Sequence, residues 1–217
     1  MTNEQIFPKI DHTLLTPTAT VQQIRILCLE AIDYKTASVC IPPCYVKQVR
    51  KEFPELNICT VVGFPLGYST KSAKVFEASE AIKNGANEID MVVNLTWVKE
   101  HNFDRVMDEI NAVRKVTKGH ILKVIAETCY LNQDEKIMLC HSVTTAEADF
   151  IKTSTGFGTA GAVREDIKLF SENIGKGVKI KAAGGIKTRK DIEDFLELGC
   201  SRIGSSSAVK ILTSKKK

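Results

Sequence analysis

The sequence lacks the features that would place it in several large classes of protein. It has no hydrophobic run approaching the ~20 residues that a membrane-spanning helix needs. The first 20 residues carry Glu4, Lys9 and Asp11 and contain no apolar segment of the kind found in a secretory leader. We therefore expect a cytoplasmic protein that makes no use of a membrane.

The sequence also has little net charge and few aromatic residues. The formal net charge is only +4, and aromatic residues make up 6% of the chain. Three of the 30 lysine and arginine residues lie together at the end, as Lys215, Lys216 and Lys217, with no aromatic residue among them. Because nucleic-acid-binding segments usually combine basic with aromatic residues, we interpret this end of the chain as solvated. We expect no nucleic-acid partner.

Motifs for metals, cofactors and disulfides are missing as well. The four histidines form no His-Glu-x-x-His pattern, and neither a Gly-x-Gly-x-x-Gly nor a P-loop sequence occurs. The seven cysteines are odd in number and scattered, with no Cys-x-x-Cys, which indicates reduced thiols that pack as small apolar groups. Cys40 is interpreted first as a core residue. A nucleophilic cysteine is the alternative, which is disfavoured because no histidine base is predicted nearby. We expect neither a metal ion nor a cofactor.

Short apolar strands alternate with amphipathic helices from end to end. The predicted strands cover residues 9–14, 37–41, 58–63, 88–94, 122–127, 150–153, 178–182 and 201–204. The predicted helices cover residues 21–33, 44–52, 70–84, 103–116, 133–146, 163–172, 188–198 and 206–212. Eight βα units without a linker predict an α/β protein, a single-domain (β/α)8 barrel over residues 1–217. A doubly wound open sheet is the alternative.

Two of the helices carry local signals. In the helix at 70–84 we expect an apolar side formed by Ala73, Phe76 and Ala81, with Lys74 on the opposite, polar side. Thr188, followed three residues later by Asp191, predicts a capping box at the start of another helix.

The strongest functional signal is a set of lysines inside apolar strands. Lys123, Lys152 and Lys181 each interrupt such a strand, and a lysine is almost never fully buried without a partner. A buried lysine can be neutral at pH 7, and a neutral amine attacks carbonyl carbons. The pattern predicts an enzyme that forms a Schiff base, in which neighbouring ammonium groups lower the pKa of the nucleophile.

Four consecutive strands each offer one ionisable side chain, Asp90 being the first. Adjacent strands of a barrel bring such groups together if they share the inward parity, so we expect Asp90 to exchange protons with a lysine. Taken singly, each group could equally be structural, for example Lys123 as an outward, snorkelling lysine. The spacing does not identify the nucleophile. Lys179 shares the parity of Lys181, so alternation does not decide which of the two belongs to the site. We prefer Lys181 as the site lysine because it lies nearer the C-terminal end of its strand.

Glycine-containing loops follow the last three strands and predict a phosphate site. Glycine lets a phosphate approach the backbone closely, and the loops after strands 7 and 8 often bind phosphate in barrel enzymes. The candidate residues are Thr155, Gly156, Gly184, Gly185, Gly204, Ser206 and Ser207.

Seven motifs together resemble the deoxyribose-phosphate aldolase family. They are Ile-Asp-His-Thr-Leu-Leu at 10–15, Val-Cys-Ile-Pro-Pro at 39–43, Val-Gly-Phe-Pro-Leu-Gly at 62–67, Glu-Ile-Asp-Met-Val-Val-Asn at 88–94, Lys-Val-Ile-Ala-Glu-Thr at 123–128, Phe-Ile-Lys-Thr-Ser-Thr-Gly-Phe at 150–157 and Lys-Ala-Ala-Gly-Gly-Ile at 181–186. The order of the motifs is that of the family, and they span nearly the whole chain.

The resemblance implies roles for individual residues. Lys152 would form the Schiff base, Asp90 and Lys181 would transfer protons, and Lys123 would support them, with Asp11 and Cys40 lining the pocket. The implied reaction is reversible cleavage of 2-deoxy-D-ribose 5-phosphate to acetaldehyde and D-glyceraldehyde 3-phosphate, in deoxyribose phosphate catabolism. The implied partners are a sugar phosphate and aldehydes, and a homodimer and a monomer both stay open.

This chain departs from some members of the family at Phe157, where they carry a basic residue, and in having a shorter C-terminal tail. Two other functions compete with the one implied. A Schiff-base aldolase of another substrate would carry the same lysines, and a barrel that binds a sugar phosphate without turnover would carry the same loops.

Overall fold

The computed structural model describes residues 1–214, so the predicted solvated end at Lys215, Lys216 and Lys217 lies outside the described residues. Eight parallel strands pair in sequence order, and β8 pairs with β1 to close a barrel. The strands are β1 (Ile10–Thr13), β2 (Ser38–Ile41), β3 (Ile58–Val62), β4 (Glu88–Val92), β5 (Ile121–Ile125), β6 (Phe150–Lys152), β7 (Lys179–Ala183) and β8 (Arg202–Ser205).

Helices follow the strands and cover the outside of the barrel. They are α1 (Asn3–Ile6), α2 (Val21–Tyr34), α3 (Val46–Glu52), α4 (Lys71–Lys83), α5 (Leu95–Lys99), α6 (Phe103–Val116), α7 (Gln133–Thr145), α8 (Arg164–Asn173), α9 (Arg189–Glu197) and α10 (Ala208–Thr213). None of the helices in residues 1–214 is both long and apolar enough to cross a membrane.

The predicted (β/α)8 barrel is therefore confirmed, and the open-sheet alternative is wrong. All eight predicted strands and eight of the helices are present, with ends that differ by one or two residues. The short helices α1 and α5 were not predicted. The capping box at the start of α9 is confirmed, because the Thr188 hydroxyl accepts from the backbone N–H of Asp191 and the Asp191 carboxylate accepts from that of Thr188.

The predicted orientation of α4 is wrong. Lys74 is fully buried against the barrel, whereas the Phe76 side chain is 70% exposed. The ammonium of Lys74 is compensated by the carboxylate of Glu109 on α6, at 2.8 Å, so that a charged residue occupies an inward position.

The molecule has an apolar layer outside the barrel and a polar interior inside it. Alternation along β4 places Ile89 and Met91 in the apolar core between strands and helices, whereas Glu88 and Asp90 face the barrel axis. Interiors of such barrels are usually filled by branched apolar residues. The charged interior here is therefore the feature that calls for a functional explanation.

Candidate active site

A cavity of about 280 Å³ opens at the C-terminal end of the barrel, where the βα loops meet. Its wall is formed by the loops that follow four strands, and the side chain of Lys152 reaches it from below. The lining segments are residues 13–16, 155–157, 183–186 and 204–206. This is the end of the barrel at which the chemistry of such folds is normally located.

Lys152 is the predicted lysine that lines this cavity. It is the last residue of β6, and its Nζ lies 2.8 Å from Oδ2 of Asp90. The residue is 3% exposed, so its amine is nearly desolvated while still reachable by a ligand. A desolvated amine next to a cavity has the placement that nucleophilic attack on a carbonyl requires.

Asp90 connects three of the lysines. Its Oδ2 accepts hydrogen bonds from Lys152 at 2.8 Å and from Lys181 at 2.7 Å, and its Oδ1 accepts one from Lys123 at 2.8 Å. Burial alone would raise the pKa of this carboxyl, but the three ammonium groups hold it well below its usual range. Asp90 is therefore a buried carboxylate anion with one oxygen shared between two lysines.

Lys181 lies one level deeper than Lys152 and does not reach the cavity. It is fully buried on β7, and it contacts Oδ2 of Asp11 as well as Asp90. Burial by itself would lower the pKa of Lys181, but the charges of Asp11 and Asp90 outweigh burial and raise it. Lys181 is thus an ammonium ion beneath Lys152. This is the neighbouring positive charge that we expect from the sequence to repel a proton on the nucleophilic amine.

Lys123 is the most enclosed of the three lysines. Its Nζ contacts Glu88 and Asp90 and lies 3.4 Å from Sγ of Cys59. The alternative interpretation of Lys123 as an outward, snorkelling lysine is therefore wrong. Burial again acts to lower the pKa, and the surrounding carboxylates, Asp90 foremost, raise it well above its ordinary value.

Asp11 connects Lys181 to Arg202 on β8. Its Oδ2 contacts Lys181, and its Oδ1 accepts hydrogen bonds from Arg202 and from the hydroxyl of Ser38, the latter at 2.7 Å. It does not line the cavity, so it acts on the site through Lys181. Neighbouring cations hold its pKa below the usual range in spite of burial.

Cys40 is fully buried on β2 and packs with Cys59 and Val61, beside Phe64, rather than lining the cavity. The pKa of its thiol is lowered, chiefly by a hydrogen bond with Cys59, whose own pKa burial raises. Sγ of Cys59 also lies close to ligand-type oxygens of Asp90 and Glu88. The ammonium of Lys123 already contacts those groups, so a metal ion there would have to displace it.

The loop after β6 is held by Glu127. Its Oε1 accepts from the backbone N–H of Thr155 at 3.1 Å, and its Oε2 accepts from the Thr155 hydroxyl. Burial raises the pKa of Glu127. The polar groups of Thr155 are thus engaged within the protein, although the residue lines the cavity.

Gly156, Gly184 and Gly185 line the upper wall and all have positive φ angles, of 89°, 79° and 73°. The loops they belong to approach each other so closely that a Cβ on Gly161 would lie 2.3 Å from the carbonyl of Gly184. Backbone rather than side chains therefore forms this part of the wall, which leaves room and N–H groups for an anion.

The three predicted residues of the β8 loop differ in placement. Ser206 is exposed and lines the cavity, whereas Ser207 does not line it and donates its backbone N–H to the Ser205 hydroxyl at 3.2 Å. Gly204 lines the cavity from inside the barrel, where a Cβ would lie 3.1 Å from Cε of Lys181. The absence of a side chain at Gly204 leaves space for the stem of Lys181.

Phe157 stands at the mouth of the cavity and is 50% exposed. Its ring packs edge-on against Phe64, with 5.3 Å between ring centroids. The mouth of the cavity thus presents an aromatic surface.

Sequence reasoning did not single out Glu88, Arg202 or Glu127 as members of the site. Glu88 and Arg202 could have been found by alternation, because each lies two residues before an inward-facing position, Asp90 and Gly204. Glu127 gave no comparable signal, since its position depends on a left-handed backbone conformation with φ of 50°. Lys179, the alternative to Lys181, is exposed at the start of β7, with its Nζ 5.7 Å from the centre of the Phe150 ring.

Comparison with known proteins identifies the family of this chain. Deoxyribose-phosphate aldolase of Clostridium botulinum is 54% identical over 213 residues, which cover 98% of this chain and 96% of the relative. That of Clostridioides difficile is 54% identical over 210 residues, 96% of each chain. The tetrameric deoxyribose phosphate aldolase of Aeropyrum pernix has a TM-score of 0.91 at 32% identity, over 97% of this chain and 91% of that one. The model of the DeoC/LacD aldolase family matches residues 6–208, so the chain belongs to this family and is an aldolase.

Proposed function

We propose that this chain cleaves 2-deoxy-D-ribose 5-phosphate reversibly, through a Schiff base on Lys152, to acetaldehyde and D-glyceraldehyde 3-phosphate. The observation that carries the proposal is the position of the Lys152 amine, whose side chain reaches the cavity. This amine donates a hydrogen bond to Oδ2 of Asp90, which also accepts one from Lys181. The names of the similar relatives agree with this substrate.

The first half of the reaction makes the imine. The neutral amine of Lys152 attacks C1 of the open-chain sugar, and the carbinolamine loses its hydroxyl as water once a proton reaches that oxygen. Lys181 is the nearest ammonium donor, and Asp90 lies between the two amines as the path for the proton. This is general acid–base catalysis in a desolvated site, where proton transfer over one hydrogen bond is efficient.

The second half breaks the carbon–carbon bond. The C3 hydroxyl loses its proton, the C2–C3 bonding electrons pass to C2, and the protonated imine accepts them as an enamine. D-Glyceraldehyde 3-phosphate leaves, a proton is added to C2, and water hydrolyses the imine to release acetaldehyde. The Asp90–Lys181 pair supplies and accepts these protons in turn, so Lys152 is regenerated as an amine.

The substrate phosphate would lie against the glycine-containing loops. Gly156, Gly184, Gly185 and Ser206 line the wall opposite Lys152 and offer backbone N–H groups with little steric hindrance. Thr155 contributes through its hydrogen bonds to Glu127, which fix the loop, rather than by a free hydroxyl.

The proposed reaction belongs to the catabolism of deoxyribose phosphate, and its partners are the sugar phosphate and the two aldehydes. A homodimer stays a prediction. A Schiff-base aldolase of another substrate is distinguished by its donor, because the proposed enzyme leaves a two-carbon fragment on the lysine.

The test is reduction with sodium borohydride in the presence of 2-deoxyribose 5-phosphate, followed by peptide mass mapping. We expect an ethyl adduct on the peptide that contains Lys152, since the imine of acetaldehyde is the species reduced. Lys179→Leu is the matched control, because this lysine is exposed near the start of the neighbouring strand and its loss should leave the adduct unchanged.

An adduct on another lysine would keep the aldolase and reassign the nucleophile. A larger adduct with no ethyl group would favour another donor substrate. Absence of any adduct on the folded protein, with ligand still raising its melting temperature, would favour the binding protein without turnover.

A further inference from the structure

The barrel interior holds a chain of contacting charges that continues below the lysines described above. We call it the interior ion cluster. It contains four cationic side chains and three carboxylates, namely Lys123, Lys152, Lys181 and Arg202 with Asp11, Glu88 and Asp90. With every group ionised, the interior ion cluster carries one more positive than negative charge.

Arg202 lies at the end of this cluster remote from the cavity. It is on β8, its guanidinium contacts Oδ1 of Asp11, and it lies 3.2 Å from Oε2 of Glu88. The guanidinium also lies over the ring of Phe150, 5.6 Å from its centre. Its side chain is 12% exposed, so water screens the charge only weakly.

Among the seven side chains of the interior ion cluster, Lys152 is the one placed to relieve the excess positive charge. Lys123 and Lys181 are fully buried and each contacts two or more carboxylates, and a guanidinium does not lose its proton. Lys152 has Asp90 as its partner in the cluster, shares that oxygen with Lys181, and borders the cavity. Loss of a proton from Lys152 makes the interior ion cluster neutral.

We propose that Arg202 is a positioning residue that favours the neutral, nucleophilic form of Lys152 from the opposite end of the barrel, by supplying the excess positive charge of the interior ion cluster. The inference rests on the proposed function, in which Lys152 is the nucleophile. Glu88 acts in the opposite sense, because its negative charge offsets that of Arg202. The two residues contact each other and neither lines the cavity.

Other titratable groups face this cluster and must be held constant. Glu127 faces Lys152 from the segment after β5, and the thiols of Cys40 and Cys59 lie beside Asp90. On β7, Nζ of Lys179 lies 5.7 Å from the centre of the Phe150 ring. None of them differs between the variants below, so their charges cancel in the comparison.

The size of the effect follows from Coulomb's law. Arg202 and Lys152 stand at the two ends of the contacts through Asp11, Lys181 and Asp90, a separation on the order of 10 Å in a medium of effective dielectric constant about 20. A unit charge at that distance shifts a pKa by about one unit. The effect is large enough to measure and small enough to leave the enzyme active.

The experiment measures the pH at which imine formation is half-maximal. Each variant is incubated with acetaldehyde and cyanoborohydride between pH 5 and 9, and the rate of ethyl-adduct formation on the Lys152 peptide is recorded by mass spectrometry. Arg202→Gln removes a positive charge, so the midpoint should rise by about one pH unit. Glu88→Gln removes a negative charge, so the midpoint should fall by a similar amount.

Two further variants separate charge from structure. The double variant Arg202→Gln/Glu88→Gln restores the net charge, and Arg202→Lys keeps it, so both should return the midpoint to that of the wild type. A purely structural role would lower the melting temperature and the rate in both single variants without moving their midpoints in opposite directions.

Midpoints that stay fixed, or that move in the same direction in both single variants, would overturn the inference. If Arg202→Gln does not fold, Glu88→Gln and Arg202→Lys still decide it: the first must lower the midpoint and the second must leave it unchanged. Absence of an adduct on Lys152 in the wild type would instead overturn the proposed function.

Discussion

Two buried ionic groups lie in this protein on opposite sides of the same strand. The interior ion cluster faces the barrel axis from β4 through Glu88 and Asp90. The outer ion pair, Lys74 on α4 and Glu109 on α6, lies between the helices and the end of β4, and both side chains are fully buried. The two groups differ in how their charges are compensated.

The outer ion pair is balanced in charge, and neither of its side chains lines the cavity. Nζ of Lys74 lies 2.8 Å from Oε2 of Glu109 and donates to the carbonyl of Val92, also at 2.8 Å. Oε2 of Glu109 in turn accepts from the backbone N–H of Asn94 at 3.2 Å. One positive charge meets one negative charge, and the remaining hydrogen bonds hold the backbone just beyond Asp90. Such a pair can position a strand end but offers nothing to a ligand.

The interior ion cluster is unbalanced and reaches a cavity. Burial lowers the pKa of Lys74 and raises that of Glu109, so both partners of the outer pair are pushed towards neutrality. In the cluster, by contrast, carboxylates raise the pKa of Lys181 and Lys123. The comparison teaches that burial alone does not make a lysine reactive. The position that we propose as reactive, that of Lys152, combines an excess of like charge with access to a ligand.

The largest expected effect is at the cavity end of the cluster. Lys152→Leu removes the amine that we propose as the nucleophile, and we expect imine formation to be abolished while the barrel still folds. Borohydride trapping and circular dichroism measure the two outcomes. A trapped ethyl group on Lys181 or Lys123 in this variant would show that cavity access is not what distinguishes the lysines.

The next effect is at the middle of the cluster. Lys181→Leu removes both an ammonium neighbour of Lys152 and a proton carrier, so we expect turnover to fall by about 10²–10⁴, the range typical of general acid–base groups. Steady-state assays with 2-deoxyribose 5-phosphate measure it, with the exposed Lys179→Leu as the matched control. A near-normal rate would contradict the role of Lys181 in proton transfer and would favour Lys123 for that role.

The outer ion pair should respond in stability rather than in chemistry. Lys74→Met leaves Glu109 buried without its cation, which should cost about 3–5 kcal/mol of unfolding free energy near pH 8. Because the folded-state pKa of Glu109 is raised, its contribution is present below the ordinary value of 4.5 and is lost as pH rises through the raised pKa. The deficit should therefore shrink at pH 5. Denaturant titrations at both pH values measure it.

The double variant Lys74→Met/Glu109→Leu is the control for that experiment. Replacement of a whole buried pair by apolar side chains is often neutral or stabilising, so most of the loss should be recovered. The pH midpoint of imine formation should stay at the wild-type value. A shift of that midpoint would mean that the two ionic groups are not independent.

The smallest effect is expected from a charge placed in solvent. Phe157→Lys adds an ammonium at the half-exposed mouth of the cavity. We expect the KM for 2-deoxyribose 5-phosphate to fall by less than about tenfold and the effect to disappear with added salt, since exposed charges contribute little. 2-Deoxyribose without phosphate is the control substrate, and an equal gain with it would exclude a phosphate contact.

The fold was predictable because its signals are periodic and local. Each strand is a short apolar run, and each long helix is marked by amphipathic spacing or by a cap such as Thr188. Helix α5 escaped because five residues are too few for periodicity to register. The inward position of Lys74 was not predicted because its partner Glu109 is distant in sequence. The ion pair between them lets a lysine occupy the buried side of α4.

The candidate site was predictable in its charged residues and less so in its connections. Lys123, Lys152, Lys181 and Asp90 stand out as charges in apolar strands, and the structure brings them together around Asp90. Which lysine borders the cavity depends on the depth of its side chain along the barrel axis. The order of the motifs does not give that depth. Glu88 and Arg202 lie at strand starts, where charged residues are common, so only the assembled barrel reveals their contacts.

The contact between Asp11 and Arg202 also bears on how the chain folds. These residues belong to the first and last strands and are 191 positions apart in the sequence. Until β8 joins β1, Asp11 and Glu88 lack one of the cations that compensate them inside the barrel. Contacts of such long range form slowly, and buried carboxylates without partners are unstable. We therefore expect the barrel to close in a single cooperative step. In an incomplete barrel, the charged side chains of the interior would stay hydrated, which opposes closure.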